Sequence, residues 1–110
     1  PEQEEQIFQV VEERPQFPGG DAEVMKYLQK NIKYPTICQE QGIQGRVIVQ
    51  FVVNTDGSIV DPQLIKPVNP HLDKEALRVI STMPKWSPGK QRGKAVRVRF
   101  TVPVTFRLSN

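Results

Sequence analysis

The last part of the chain carries the most regular alternation of apolar and polar side chains. Apolar residues occupy the even positions from 96 to 108, and most of the odd positions hold arginine or threonine. Because successive side chains of a β-strand point to opposite faces, this period of two predicts one long, half-buried strand. Its apolar face comprises Val96, Val98, Phe100, Val102, Val104, Phe106 and Leu108.

A β-hairpin is predicted upstream of this strand. Residues 46–53 alternate in the same way, with Val47, Val49 and Phe51 on one face. Asp56-Gly57 then supplies a turn, and residues 58–65 return as the second strand of the hairpin.

Two helices are predicted, one on each side of the hairpin in the sequence. The first begins at Asp21 and ends before Tyr34-Pro35, because the residue before a proline avoids the α region. The second begins at Asn69-Pro70, a pair typical of a helix cap followed by the first helical residue. A short helical turn is expected before Gly42. The apolar stripes comprise Ala22, Met25, Leu28 and Ile32 in the first helix and Leu72, Ala76, Leu77, Ile80 and Met83 in the second.

Residues 1–20 are predicted to form an arm and a turn, and residues 21–110 to form the folded domain. Residues 7–11 suit a strand, but Pro15, Pro18 and Gly19-Gly20 stop any regular element from continuing. The predicted fold class is α+β, with an antiparallel three-stranded sheet and two helices packed on one face. The arm can extend this sheet by a further strand.

The composition argues against an enzyme. A single Cys and a single His in 110 residues exclude an internal disulfide and a Cys- or His-rich metal site, so we expect no cofactor and no metal. Asp73 and Glu75 lie two residues apart on a predicted helix, where they do not face each other and are expected to solvate the first turns of that helix. Cys38 and His71 carry no catalytic signature, and Cys38 is expected to be buried as a small apolar group. Trp86 is expected to fill the gap between the second helix and the sheet.

Charge is unevenly distributed along the chain, although the formal total is only +3. The first 23 residues hold seven acids against Arg14 alone, and no acid follows Glu75, after which eight lysines and arginines occur. This division is compatible with a basic binding face, with an acidic arm folded back upon that face, or with a solvated surface. Phe100 and Phe106 share the apolar face with the valines, so the arginines lack exposed aromatic neighbours, which argues against nucleic-acid binding.

Several short motifs occur in an order that resembles the C-terminal domain of TonB energy transducers, from about Asn31 to Leu108. These motifs are Tyr34-Pro35, Gly45-Arg46-Val47, Phe51-Val52-Val53, Asp56-Gly57, Leu72-Asp73-Lys74-Glu75-Ala76, Pro84-Lys85-Trp86-Ser87-Pro88-Gly89-Lys90 and Val102-Pro103-Val104-Thr105-Phe106. Residues 10–13 and 15–20 resemble the extension found in TonB-like proteins of the Bacteroidetes type.

The resemblance implies a periplasmic domain of an inner-membrane-anchored protein that acts as a mechanical adaptor. Such a domain binds the TonB box of an outer-membrane receptor, which adds to the sheet as a strand. A preceding helix couples it to the proton-driven ExbB and ExbD complex, so that substrate uptake is driven. Tyr34 and Pro35 are candidate receptor contacts, although Tyr34 is equally explained as a packed aromatic at a helix end. Asn31-Ile32-Lys33 stands before Tyr34 where the enterobacterial pattern has Gln-Pro-Gln.

The residues themselves predict where a strand would add. Pro103 has no N–H and belongs on an unpaired edge, which predicts that the odd residues of the last strand present the free edge. We expect a peptide to pair along residues 96–102, with Arg97 and Arg99 as a positive rim. The candidate partner-binding residues are Tyr34, Pro35, Val96, Arg97, Val98, Arg99, Phe100, Thr101 and Val102.

Four further possibilities follow from the sequence. The acidic arm at residues 7–13 can occupy a sheet edge and compete with a receptor peptide. An exposed edge can also pair two copies into a homodimer. Finally, the domain can be a binding module fused to a membrane sensor peptidase, or, as a less favoured alternative, a nucleic-acid-binding domain.

Overall fold

The computed structural model describes residues 6–108, in which five strands and three helices form one α+β unit. In chain order the elements are β1 (Ile7–Phe8), α1 (Asp21–Asn31), α2 (Thr36–Gln41), β2 (Gly45–Val53), β3 (Ile59–Lys66), α3 (Pro70–Ser81), β4 (Gly89–Gln91) and β5 (Lys94–Phe106). No helix in this part of the chain is both long enough and apolar enough to cross a membrane.

The sheet has the order β1-β5-β2-β3, and β4 forms a hairpin with the start of β5. β2 is antiparallel to both β3 and β5, and its register with β5 runs without interruption from Gly45–Phe106 to Val53–Val98. β1 instead runs parallel to β5, with Ile7 opposite Arg97. The fold class is confirmed, but the expectation of a purely antiparallel sheet is wrong because the added arm strand makes the sheet mixed.

The core lies between one face of the sheet and helices α1 and α3. The alternation predicted for β2 is confirmed, because Val47, Val49, Phe51 and Val53 are fully buried. Each such side chain contributes about 1.5–3 kcal/mol through removal from water. From the helices, the buried apolar residues are Val24, Leu28, Leu72, Ala76, Val79 and Ile80.

The predicted helix starts follow from local chemistry that the structure reproduces. Asp21 and Glu23 lie in the first turn of α1, where acidic side chains interact favourably with the helix dipole. The Asn69 side chain accepts a hydrogen bond from the His71 N–H at 2.8 Å, which caps α3, and Pro70 follows as the first helical residue.

Trp86 is buried against the sheet and is only 3% exposed. Its ring packs edge-on against Phe17, Phe51 and Phe100, with centroid separations of 5.0–5.6 Å. Phe17 precedes α1 and is itself buried in the core cluster. The segment between the arm and α1 therefore contributes a side chain to the domain interior.

Some predicted boundaries are wrong by a few residues, and one strand was not predicted. The arm strand ends at Phe8 rather than at residue 11, and β5 spans Lys94–Phe106 rather than residues 96–108. The missed strand β4 turns back into β5 through Arg92 and Gly93, both at positive φ (54° and 78°). A left-handed Arg-Gly turn between two polar segments gives little sequence signal.

Candidate functional site

The sides of β3 and β5 that face away from the central strand β2 differ in regularity. The outer strand β3 contains Pro62, which lacks an N–H, and Asp61 at φ 51°, and its register with β2 shifts twice. On β5, the side away from β2 pairs with β1 at Arg97 and Val98. No strand among residues 6–108 covers that side at residues 99–106, which we call the open edge.

The open edge contains part of the predicted peptide site. Of residues 96–102, Val96 lies opposite Gly89 of β4, while Arg97 and Val98 lie opposite β1. Within the predicted site, residues 99–102 therefore have no partner strand among residues 6–108 on the side of β5 that faces away from β2. The assignment of the odd residues to this side, inferred from Pro103, stays a prediction.

The side chains along β5 form two rows, as the alternation predicted. Val98 and Val102 are buried, and Phe100 packs partly buried against the core. Arg97 and Arg99 are half-buried, and the Arg97 Nε donates to the Asn54 Oδ1 at 3.2 Å. Of the two aromatic rings of β5, Phe106 is buried in the core and Phe100 is partly buried against it.

A cleft of about 400 Å³ separates the arm from β5. Its lining includes Val10, Val11 and Pro15 from the arm, and Phe100 and Thr101 from β5. Because the cleft adjoins the open edge, it can receive side chains from a strand added there.

Arg14 is a residue of this cleft that the sequence interpretation had not assigned to the site. Its guanidinium lies 5.6 Å from the centroid of the Phe100 ring, within the range of a cation–π contact. The available signal was its position as the only basic residue among the first 23. Arg14 therefore adds a third cation close to the predicted rim of Arg97 and Arg99.

Tyr34 and Pro35 lie in the connection between α1 and α2. The Tyr34 hydroxyl donates to the Ile43 carbonyl, and its ring packs edge-on against Phe106 at 5.6 Å. Burial, with a smaller effect of Cys38, raises the pKa of Tyr34. Phe106 ends β5 four residues after Val102, about 13 Å along the strand. The two groups of predicted site residues therefore lie near opposite ends of the open edge.

Glu75 holds the Tyr34 connection in place. One carboxylate oxygen accepts from the Lys33 N–H at 2.6 Å, and the Arg78 guanidinium donates to both oxygens at 2.7 Å. Arg78 also donates to the Asn31 carbonyl at 3.1 Å, which ties the end of α1 to α3. Burial alone would raise the pKa of Glu75, but the hydrogen bonds and charges of Arg78 and Lys33 together lower it.

Asp73 and Glu75, which were expected to solvate the first turns of their helix, are each only 9% exposed. Asp73 accepts from the Val68 N–H at 2.9 Å and stabilises the chain entering α3, while Glu75 binds the α1–α2 connection. Sequence spacing showed that the two carboxylates do not face each other. It did not show that each has its own distant backbone partner.

Cys38 is fully buried, as expected, and its thiol lies 3.6 Å from the Asn69 Oδ1. Within residues 6–108, no group of three His, Cys, Asp or Glu side chains is close enough to hold a metal ion. Near β5, the described residues place the open edge beside the cations Arg14, Arg97 and Arg99.

The sequence matches one protein-family model over residues 30–108, described as the Gram-negative bacterial TonB protein C-terminal domain. The chain is similar to Protein TonB of Helicobacter pylori, with 29% identity over 96 residues that cover 83% of this chain and 32% of that protein. It is also 34% identical to Protein TonB of Pseudomonas aeruginosa over 77 residues, 68% of this chain and 22% of that protein. The chain thus spans about a third or less of the length of these relatives.

Solved structures show the same likeness. The solution structure of the Helicobacter pylori TonB C-terminal domain superposes with a TM-score of 0.64 at 26% identity, covering 81% of this chain and 94% of that one. The Pseudomonas aeruginosa TonB C-terminal domain superposes with a TM-score of 0.58 at 30% identity, covering 71% and 79% of the two chains.

Proposed function

The chain belongs to the family of Gram-negative bacterial TonB C-terminal domains, and from this premise we propose that it binds an extended receptor peptide by adding it to β5. The peptide is the TonB box of an outer-membrane receptor. The domain acts as an adaptor without an active site. It grips the receptor so that force applied to the domain is transmitted to the bound peptide.

The single observation that carries this proposal is the open edge of β5. A regular strand with an uncovered row of backbone groups is the structure to which an extended peptide adds. The β3 edge offers a poorer template because Pro62 and the register shifts interrupt it. The proposed site comprises residues 96–102, and Tyr34-Pro35 provides a second contact near the end of β5.

The cations beside the edge suggest which peptides bind best. Arg14, Arg97 and Arg99 surround the cleft and the rim, so acidic residues flanking the paired segment are favoured. Charges at the rim of an interface act mainly on the association rate and its salt dependence. The paired backbone groups therefore provide the affinity, and the arginines accelerate the encounter.

The proposal extends to the whole protein of which this domain is a part. The domain works in the periplasm, and a membrane-anchored segment of the protein couples it to ExbB and ExbD. The proton-motive force used by that complex then drives uptake through the receptor. These assignments rest on membership of the TonB family rather than on the contacts described above.

The experiment that tests strand addition is an NMR titration of the labelled domain with TonB-box peptides. Two versions of each peptide are N-methylated at alternate backbone positions, so that they differ only in which side loses its hydrogen-bond donors. We expect amides of residues 96–102 to shift, with smaller shifts at Tyr34, and only one methylated version to bind. Equal binding of both versions, or shifts confined to another surface, would contradict strand addition at this edge.

A further inference from the structure

The N-terminal arm consists of two parts with different contacts. Residues 12–17, which we call the clamp segment, pair with residues 87–91 and insert Phe17 into the core. β1 lies before the clamp segment and pairs with β5 through Ile7 and Phe8 alone. Residues 9–11 join the two parts, and Val10 between them is 86% exposed.

The clamp segment is held by paired backbone hydrogen bonds. Glu13 and Lys90 exchange two bonds at 3.1 and 2.9 Å, and Gln16 and Ser87 exchange two more at 3.0 and 2.8 Å. The Glu12 carboxylate accepts from the Arg92 N–H, which ties the clamp segment to the turn between β4 and β5. Pro15 and Phe17 are buried. These contacts fix the clamp segment against β4 and the turn that leads into β5.

β1 has much weaker attachments. Only two residues pair, both are half-buried, and the exposed linker contributes no core side chain. A strand pair this short is marginal by itself in water. It persists beside β5 because the clamp segment holds it close to its partner, which gives it a high effective concentration.

The position of β1 coincides with one end of the proposed peptide site. Arg97 and Val98, which pair with β1, belong to residues 96–102, whereas residues 99–102 remain unpaired on the same side. A peptide can therefore pair first with residues 99–102 while β1 stays paired, by entering the cleft lined by Val10, Val11 and Pro15. It can pair with Arg97 and Val98 only after β1 leaves.

We propose that β1 is an internal competitor, which an incoming peptide displaces by strand exchange that starts at residues 99–102. This inference rests on the proposed function and adds a regulation of the same site. The clamp segment stays in place during the exchange, so β1 returns when the peptide leaves. A competitor that occupies its place nine-tenths of the time lowers the apparent affinity of the peptide about tenfold.

The first test opens the site in the full chain. Ile7→Pro and Phe8→Pro together remove the N–H groups of β1, while Val10→Pro makes the same type of change at the exposed linker position. We expect the double variant to bind a TonB-box peptide about three- to tenfold more tightly by calorimetry, and Val10→Pro to match the original chain.

The second test closes the site. Ile7→Cys with Arg97→Cys places two thiols at paired positions on adjacent strands, which lie about 4.8 Å apart, within the range that a disulfide spans. Comparing the oxidised and reduced forms of this one variant removes the effect of losing Arg97. We expect the oxidised form to bind peptide at least about tenfold more weakly.

The outcomes separate the two proposals. If the original chain binds peptide, and opening or locking β1 leaves the affinity unchanged, then the competitor is disproved and strand addition stands. If neither the original chain nor the opened variant binds any TonB-box peptide, strand addition at β5 fails and the competitor fails with it. Tighter binding of the opened variant together with weaker binding of the oxidised form supports both.

Discussion

β3 and β5 flank the central strand β2, and the sides of these two strands that face away from β2 differ in what they offer a further strand. β5 keeps an uninterrupted register with β2 and leaves residues 99–106 open, whereas β3 shifts register twice and contains Pro62. Under the proposed strand addition, backbone regularity, rather than apolar exposure, distinguishes the edge that binds the peptide. Ile65 on β3 is 52% exposed, yet its strand is the poorer template.

The largest expected loss of stability follows removal of the Trp86 ring, which packs against Phe100 of β5. Trp86→Ala deletes the ring that packs against Phe17, Phe51 and Phe100, and we expect a loss of about 3–5 kcal/mol in the free energy of unfolding. The matched change on the other edge, Ile65→Ala, should cost less than about 0.5 kcal/mol. Denaturant unfolding of both variants measures the difference, and similar losses would contradict the asymmetry.

A smaller loss in the free energy of unfolding is expected when Glu75, near the Tyr34 end of the open edge, is changed. Glu75→Gln removes the charge that binds Arg78 and the Lys33 N–H, and should lower the free energy of unfolding by about 1.5–3 kcal/mol at pH 7. The control is Glu40→Gln at an exposed position of α2, where little change is expected.

The stabilisation by Glu75 should depend on pH, and Glu75→Gln measures this dependence. The pKa of Glu75 is lowered in the folded domain from its ordinary value of 4.5, so its stabilisation is complete above that pH and is lost as the pH falls through the lowered value. The stability difference between the original chain and Glu75→Gln should therefore shrink from pH 7 to pH 3. A constant difference in denaturant unfolding across this range would contradict the assignment.

Reversing one charge on β5 and one on β3 tests which of the two strands binds the peptide. Arg99→Glu should weaken binding of an acidic-flanked peptide about three- to tenfold, mainly through slower association, and the effect should diminish in about 0.5 M salt. Lys66→Glu at the end of β3 should leave binding unchanged. Stopped-flow association rates test both, and an equal effect of the two substitutions would argue against peptide addition at β5.

The smallest expected effect is weak self-association, caused by a substitution that makes the β3 edge more regular. Pro62→Val restores an N–H and a β-branched side chain to this strand, so weak self-association should appear at high concentration. Sedimentation velocity against the original chain measures it. If the variant stays as monomeric as the original, Pro62 is not what blunts this edge.

The sequence predicted the elements whose signals are local. The alternation of β5, the β2–β3 hairpin and the Asn69 cap of α3 each follow from neighbouring residues, and each was found close to its predicted bounds. The parallel pairing of Ile7 with Arg97 was not predicted, because it joins segments ninety positions apart without a pattern that fixes orientation.

The proposed site depends on local and on distant contacts in the same way. The alternation of apolar and polar residues predicted the strand β5. Pro103, which lacks an N–H, predicted which side of β5 is free, and that assignment stays a prediction. The role of Glu75 depends on Lys33, 42 positions away, and that of Arg14 on its approach to Phe100. Contacts of this kind arise only when the elements pack, so residue spacing alone did not reveal them.

β5 also has a consequence for how the domain folds. This strand is the last element of the described chain, yet β1, β2 and β4 all pair with it. The sheet is therefore closed by contacts between residues far apart in sequence, which slow folding because long loops must close first. Until β5 has been synthesised, the earlier segments cannot complete the sheet. The side of β2 that later pairs with β5 stays unpaired during this time, and it can pair with other chains and cause aggregation.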